Sequence, residues 1–407
     1  MSPSSLAIAR AGAAGRERLE RFAIVYFGND WSAENRTSSH HVAERLARRT
    51  SLLYVDSPGL RGPKANARDL RKLWRKASAA LRRPRRVGER MWQMSVPQIP
   101  FRRIPLVRRA NAWLGRLLVR RALAHLGFAR TVSWFAVPHP GCLAGAVGET
   151  AVIYYCIDDY AALPGVDARE VAAMDAHLTR RADQVFVASA RMLDAKRRER
   201  PSTVLAPHGV DVALFRTASD PRLPVAAGAR RLGRPVVGFY GSIEEWIDLD
   251  LVTEAAVRRP DWTFLLVGRV AVDASRSAAL PNVVFAGAQP YADLPAWVRA
   301  FDVAIIPYRL TRQVLNSAPL KLREYLATGK PVVAVPAPEI ERFAPLVRLA
   351  QGAEEFIRQI EDALQNDTER DRARRMAATA SMTWEARVAS VVEVVERRLW
   401  QKAHQRI

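Results

Sequence analysis

A chain of 407 residues, 49% of them hydrophobic, is long enough for two domains that each bury a core, which sets it apart from disordered and fibrous classes. Its two cysteines, Cys142 and Cys156, match no disulfide framework or metal-ligand spacing, which points to a reducing compartment. The net charge is +22 (63 basic, 41 acidic), and residues 61–130 alone hold 20 basic and 2 acidic side chains, so a polyanionic partner is expected to face that one region. No apolar run reaches the roughly 18–20 residues of a membrane span. The opening MSPSSLAIARAGAAGRERLERF has too short an apolar centre for a secretory signal, so a cytoplasmic protein with a disordered start is expected.

Residues 21–27, RFAIVYF, read as a buried strand, 28–31 as a loop and 36–49 as a helix, with Arg36, Ser38, Ser39, His40 and His41 at its start. A strand follows at 51–55. Strand, loop and helix in this order form a parallel unit with the loop on the ligand-binding edge, although no GxGxxG accompanies it. In the basic region, 69–81 (DLRKLWRKASAAL) places Leu70, Leu73, Trp74, Ala77 and Leu81 at helical spacing among Arg68, Arg71, Lys72, Arg75 and Lys76. Tryptophan, leucine and arginine on opposed faces suit the headgroup layer of an anionic membrane, so Leu70, Leu73, Trp74, Arg71 and Arg75 are the expected membrane-facing residues. A second segment, 106–126, repeats the pattern; a core-packing helix with a solvated basic face fits it equally. No finger, RNP or recognition-helix pattern argues for nucleic acid.

Residues 131–137 and 151–157 read as further strands, the second running into Asp158-Asp159-Tyr160 at a carboxyl end of the sheet. A carboxylate there can take a proton from an attacking hydroxyl, and adjacent residues of extended chain point apart, so at most one of the two should serve. A helix at 167–181, a strand at 184–188 and a turn at 208–211, HGVD, precede a Pro-, Ala- and Arg-rich stretch, 216–234, expected to be a linker. The second half repeats the grammar, with strands at 235–240, 262–268, 283–285 and 303–307 and helices at 243–258 and 294–300. The triplet Asp248-Leu249-Asp250 has the spacing of a metal motif but falls inside a predicted helix. Residues 319–333, PLKLREYLATGKPVV, read as a helix stopped by Gly329 and followed by a buried strand. That helix start aims unpaired N–H groups and partial positive charge outward, Lys321 adds a full charge, and Glu324 suits the hydroxyls of a ribose. Residues 384–401 form a long helix able to cross back to the first domain.

HGVD, VVGFYGSIEEWIDLDLV, LLVG, the G-x-x-P-Y loop, DVAIIPY and PLKLREYLATGKPVV, in that order over roughly residues 150–335, resemble a GT-B glycosyltransferase. They are similar to group-1 glycosyltransferases of bacterial surface-polysaccharide assembly, and the architecture resembles membrane-associated glucuronosyltransferases of xanthan-type pathways. The resemblance implies an α/β chain of two Rossmann-like domains facing across a cleft: an N-terminal acceptor-binding domain at 21–215, a linker at 216–234, a nucleotide-sugar domain at 235–383 and a crossover helix at 384–407. It places nucleotide contacts on Gly241, Tyr308, Leu320, Lys321 and Glu324 and the catalytic aspartate on Asp158; Arg36 and His40, at the start of the 36–49 helix, are the acceptor-side candidates. It implies transfer from a nucleotide-sugar, with a UDP-sugar favoured, to a lipid-linked or membrane-bound glycan on the inner face of the cytoplasmic membrane. No metal and no other cofactor are expected. Where many relatives carry a glutamate eight positions before Glu324, this chain has Asn316, which leaves donor sugar and stereochemical outcome unassigned. An epimerase or hydrolase of the same fold, and a silent membrane- or nucleic-acid-binding protein, are the competing readings.

Overall fold

A computed structural model describes residues 17–33, 36–57, 83–97, 99 and 104–405. The first sheet is built on β1 (Ala23–Gly28), whose buried run AIVYFG is what a strand covered on both faces requires. To one side lie β2 (Leu52–Asp56), β4 (Met91–Ser95) and β3 (Arg85–Gly88); to the other lie β5 (Thr131–Phe135), β6 (Ala151–Cys156), β7 (Gln184–Val187) and β8 (Val204–Leu205). All pairings are parallel except β3 with β4. That hairpin falls inside the basic stretch, between the two segments of helical periodicity. Its arginine-bearing β3 closes the sheet with a short charged edge, which discourages further strand pairing. Equal register brings Tyr26 beside Tyr54 and Trp134, with ring centroids 5.4 and 6.4 Å apart.

The second sheet runs β11 (Val283–Gly287), β10 (Thr263–Val267), β9 (Val236–Tyr240), β12 (Val303–Ile306), β13 (Val332–Ala334) and β14 (Arg348–Leu349), all parallel. In each sheet the order reverses beside the first strand, between β1 and β5 and between β9 and β12. At such switch points the loops part and leave a crevice at the carboxyl ends.

Helices cover both sheets: α1 (Ser38–Ala47), α2 (Pro105–Leu126), α3 (Ala168–Arg181) and α4 (Ala190–Glu199) with the first, and α5 (Leu249–Arg258), α6 (Arg312–Asn316) and α7 (Leu320–Thr328) with the second. The helix expected at 243–258 begins only at Leu249, capped by Asp248, whose carboxylate accepts from the Leu251 N–H at 3.1 Å. The preceding residues are held as loop by bridges from Ile243 to Val270 and from Ile247 to Tyr308. These two isoleucines, four apart, satisfy helical spacing in sequence, but they are buried by strand-end contacts.

The last helix, α8 (Trp384–His404), is capped by Thr383 and returns to the first sheet. Trp384, Val388, Val391, Val392, Val395 and Leu399 recur at three- and four-residue spacing and join the core that holds Tyr26, Tyr54 and Trp134. Val210, on the way out of the first domain, bridges to Thr383 on the way back, and its N–H donates to Met382 O at 2.9 Å. A Cβ on the adjacent Gly209 would stand 2.7 Å from the Trp384 backbone. Close approach, and not a left-handed turn, therefore requires that glycine.

Candidate active site between the two sheets

A cavity of about 700 Å³, a size usual for small-molecule sites, lies where the two switch points face one another. Asn29 and Asp30 after β1 and His139 after β5 meet Gly241 and Ser242 after β9 and Tyr308 after β12.

The second-domain wall is shaped by two glycines. Gly241 has φ +133° and Gly268 φ +153°, and a Cβ on Gly268 would lie 1.9 Å from Gly241 O. The turns after β9 and β10 are thus in backbone contact, which only glycine permits. A Cβ on Gly241 would reach within 3.0 Å of Lys321 Cε, so the lysine lies across bare backbone. Its Nζ donates to Tyr308 Oη at 2.8 Å and stands 5.1 Å from the Phe239 ring centre. Pro319 precedes α7 with extended backbone and no side-chain cap, so the first N–H groups of the helix open toward the cavity that Pro319, Leu320 and Lys321 line. One turn on, the buried Glu324 accepts from Tyr291 Oη at 3.0 Å and from Tyr240 Oη. Burial pushes its carboxyl above the ordinary range, and the two phenols and Lys321 pull it back.

On the opposite wall β6 is followed by Ile157-Asp158, both lining the cavity. Asp158 accepts from the Asp159 N–H at 2.9 Å and is hydrogen-bonded by Gln313, which reaches across from α6. Burial, with the Asp159 charge behind it, pushes the Asp158 carboxyl up to about 6, against the lowering effect of those two hydrogen bonds. Asp159 turns the other way. It accepts from Arg312 Nε at 3.1 Å and from Asn316 Nδ2 at 2.8 Å, joining the two domains along the cavity rim. At this position a glutamate would confront Asp159 with a second negative charge, whereas the amide of Asn316 bonds to it. Ser189 Oγ donates to Asn316 O at 2.5 Å and the Ala190 N–H to Glu339 Oε1 at 2.8 Å, extending the same seam.

Arg36 lines the cavity with its guanidinium 4.9 Å from the Trp31 ring centre and 2.9 Å from Glu44. His40 does not reach the cavity. Its Nδ1 accepts from the Thr37 N–H at 3.0 Å, so the proton sits on Nε2, which donates to Asp30 O at 3.0 Å. The ring thus caps α1 and ties it to the loop after β1, and burial lowers its pKa. Two other histidines take the wall positions, His139 and His208. His208 Nδ1 lies 3.1 Å from Ser38 Oγ, and burial, with the charge of Arg323, holds its pKa down at about 3, so it is neutral. The HGVD turn marked His208 as a turn residue; its partner Ser38 lies 170 positions away and carries no local signal. Leu70, Leu73, Trp74, Arg71 and Arg75 lie outside the described residues. Among the described residues no group of three or more His, Cys, Asp or Glu side chains could hold a metal ion, and no helix is long and apolar enough to cross a membrane.

Residues 234–366 match the family model described as "Glycosyl transferases group 1". Over 232 residues the chain is 30% identical to TuaH of Bacillus subtilis (strain 168), whose name assigns it to the glycosyltransferases of teichuronic acid biosynthesis. That match spans 52% of this chain and 57% of TuaH, short of two thirds of the relative's length. Among solved structures, a sucrose-phosphate synthase of Thermosynechococcus elongatus aligns with a TM-score of 0.67 at 16% identity, over 93% of this chain and 99% of its own. Anabaena Alr3699/HepE, solved in complex with UDP, aligns with a TM-score of 0.61 at 16% identity, over 92% and 99%. At such identities the structural likeness establishes the fold. The chain has the two-domain GT-B fold, and residues 234–366 of its second half are similar to the group 1 glycosyl transferases.

Proposed function

We propose that the protein is a glycosyltransferase of polysaccharide biosynthesis that moves a sugar from a nucleotide diphosphate donor, a UDP-sugar, to a lipid-linked or membrane-bound glycan at the inner face of the cytoplasmic membrane. One observation carries the reading: a single cavity has an uncapped helix start with Lys321 on one wall and the carboxyl of Asp158, raised by burial, on the other. In this reading the diphosphate rests over Gly241 against Leu320 and Lys321, Tyr308 faces the base or ribose, and Glu324 meets the ribose hydroxyls. Asp158 takes the proton from the acceptor hydroxyl as its oxygen bonds to the anomeric carbon and the bond from that carbon to the diphosphate oxygen breaks. The negative charge released on the diphosphate is met by the α7 N–H groups and Lys321, which leaves no role that a metal must fill. Arg36, beside Asn29 and Asp30, belongs to the acceptor side. The UDP bound to Alr3699/HepE and the teichuronic acid assignment of TuaH support the nucleotide and the product class.

Calorimetric titration with UDP, GDP and ADP in magnesium-free buffer tests the donor site. UDP is expected to bind more tightly than the other two; no binding of any nucleotide would overturn the reading. Consumption of UDP-sugar is then expected to require an added glycan acceptor, and full-rate turnover of donor alone would point to a hydrolase or epimerase.

A further inference from the structure

Helix α2 has a face that the core of its domain does not use. Its inward residues Gly115, Val119, Ala122 and Leu123 are buried, and a Cβ on Gly115 would stand 3.3 Å from the Leu143 methyls, so it packs hard on the turn His139–Leu143. On the opposite side, at helical spacing, Leu106, Trp113 and Leu117 are 74%, 64% and 48% exposed. Ile104 just before the helix is exposed too. So is Ile99, whose N–H donates to Asn111 Oδ1 at 2.7 Å while Asn111 Nδ2 donates to Ile99 O at 3.0 Å. Five of the eight large apolar side chains exposed among the described residues therefore gather on α2 or at its start.

The charges around this stripe have one sign. Arg108, Arg109, Arg116, Arg120 and Arg121 share the helix, which contains no aspartate or glutamate. Arg109, Arg116 and Arg120 fall at three- and four-residue spacing from Trp113 and Leu117, on the same exposed side. A merely solvated face has no use for an exposed tryptophan between two leucines. Apolar side chains long enough to enter the acyl boundary, flanked by guanidinium groups at headgroup level, match an anionic bilayer surface in both polarity and charge. Nucleic acid would match the arginines but leave the apolar stripe unused.

We propose that the outward face of α2, centred on Trp113, docks the protein on an anionic lipid surface; this rests on the reading that the acceptor is membrane-borne. The inward face of α2 lies on the turn that begins with His139, which lines the cavity, so docking would hold the cleft beside the bilayer. The expected anchor at 69–81 lies outside the described residues, and the proposal rests on α2 alone.

The full chain is sedimented with phosphatidylcholine vesicles and with vesicles containing phosphatidylglycerol as well. Wild type is expected to bind the mixed vesicles and not the zwitterionic ones. Trp113→Glu should lower the partition coefficient about tenfold or more, and Arg109→Gln, Arg116→Gln and Arg120→Gln together on the order of a hundredfold. UDP titration of each variant, expected to be unchanged, reports that the fold is intact and separates this proposal from the donor reading. Vesicle binding without UDP binding would sink the donor reading alone. The α2 proposal is overturned if Trp113→Glu binds mixed vesicles as wild type does, or if wild type binds neither vesicle. A dimer that Trp113→Glu dissolves, or binding to an RNA homopolymer in place of vesicles, overturns it equally.

Discussion

Asp158 carries the sharpest pH consequence. With its carboxyl raised to about 6 by burial, the acid form persists into mildly acidic solution, and only the ionised form can accept a proton from the acceptor. Transfer is therefore expected to fall as pH drops through about 6, measured as kcat/KM against pH. Asp158→Asn should lower kcat by roughly 10²–10⁴-fold while leaving UDP affinity unchanged. Two neighbours move the limb in opposite directions. Gln313 stabilises the ionised carboxylate, so Gln313→Ala should shift the limb to higher pH; the Asp159 charge disfavours it, so Asp159→Asn should shift it lower. Two shifts of the same sign would remove Asp158 as the titrating base. Lys321→Ala removes a charged donor, a contact worth about 1.5–3 kcal/mol, so the UDP dissociation constant should rise about 10–100-fold in magnesium-free titration.

The turn after β10 has no room for a side chain at Gly268, because a Cβ there would overlap Gly241 O in the turn after β9. Gly268→Ala should therefore displace the turn at Gly241 and weaken UDP binding more than it lowers thermal stability; the reverse order would mean the two turns are independent of the site. Gly209→Ala pushes instead on the Trp384 backbone, an overpacked contact costing about 1–3 kcal/mol, and should appear as a lower melting temperature. Element type was largely legible in the sequence: continuous apolar runs mark β1, β6, β9 and β12, and PLKLREYLATG marks α7 from proline to glycine. It failed where local pattern and tertiary contact diverge. Ile243 and Ile247 carry helical spacing but are buried as loop by Val270 and Tyr308, and the β3–β4 hairpin is obscured by arginines that only an exposed edge explains.

At the scale of the molecule, the two domains are coupled by a returning helix and a polar seam. Six α8 side chains sit in the core of the first sheet, and at about 1.5–3 kcal/mol each their burial rivals the roughly 5–15 kcal/mol that holds a typical domain folded. A chain ending at residue 383 should lose the folded first domain, seen as loss of soluble protein; a soluble product with a wild-type melting temperature would refute the dependence. Asn316→Glu would set two carboxylates together at the rim and should open the cleft, raising the radius of gyration in solution scattering. The succession of strands and helices, the helix start with Lys321 and Glu324, and the Asp158-Asp159 pair were determined by the sequence alone, because each depends on neighbours a few residues away. Only the tertiary structure decided which aspartate faces the cavity, that His40 caps α1 while His139 and His208 line the wall, and that Asn316 binds Asp159. Those outcomes rest on contacts between residues up to 170 positions apart, and on burial that no local pattern encodes.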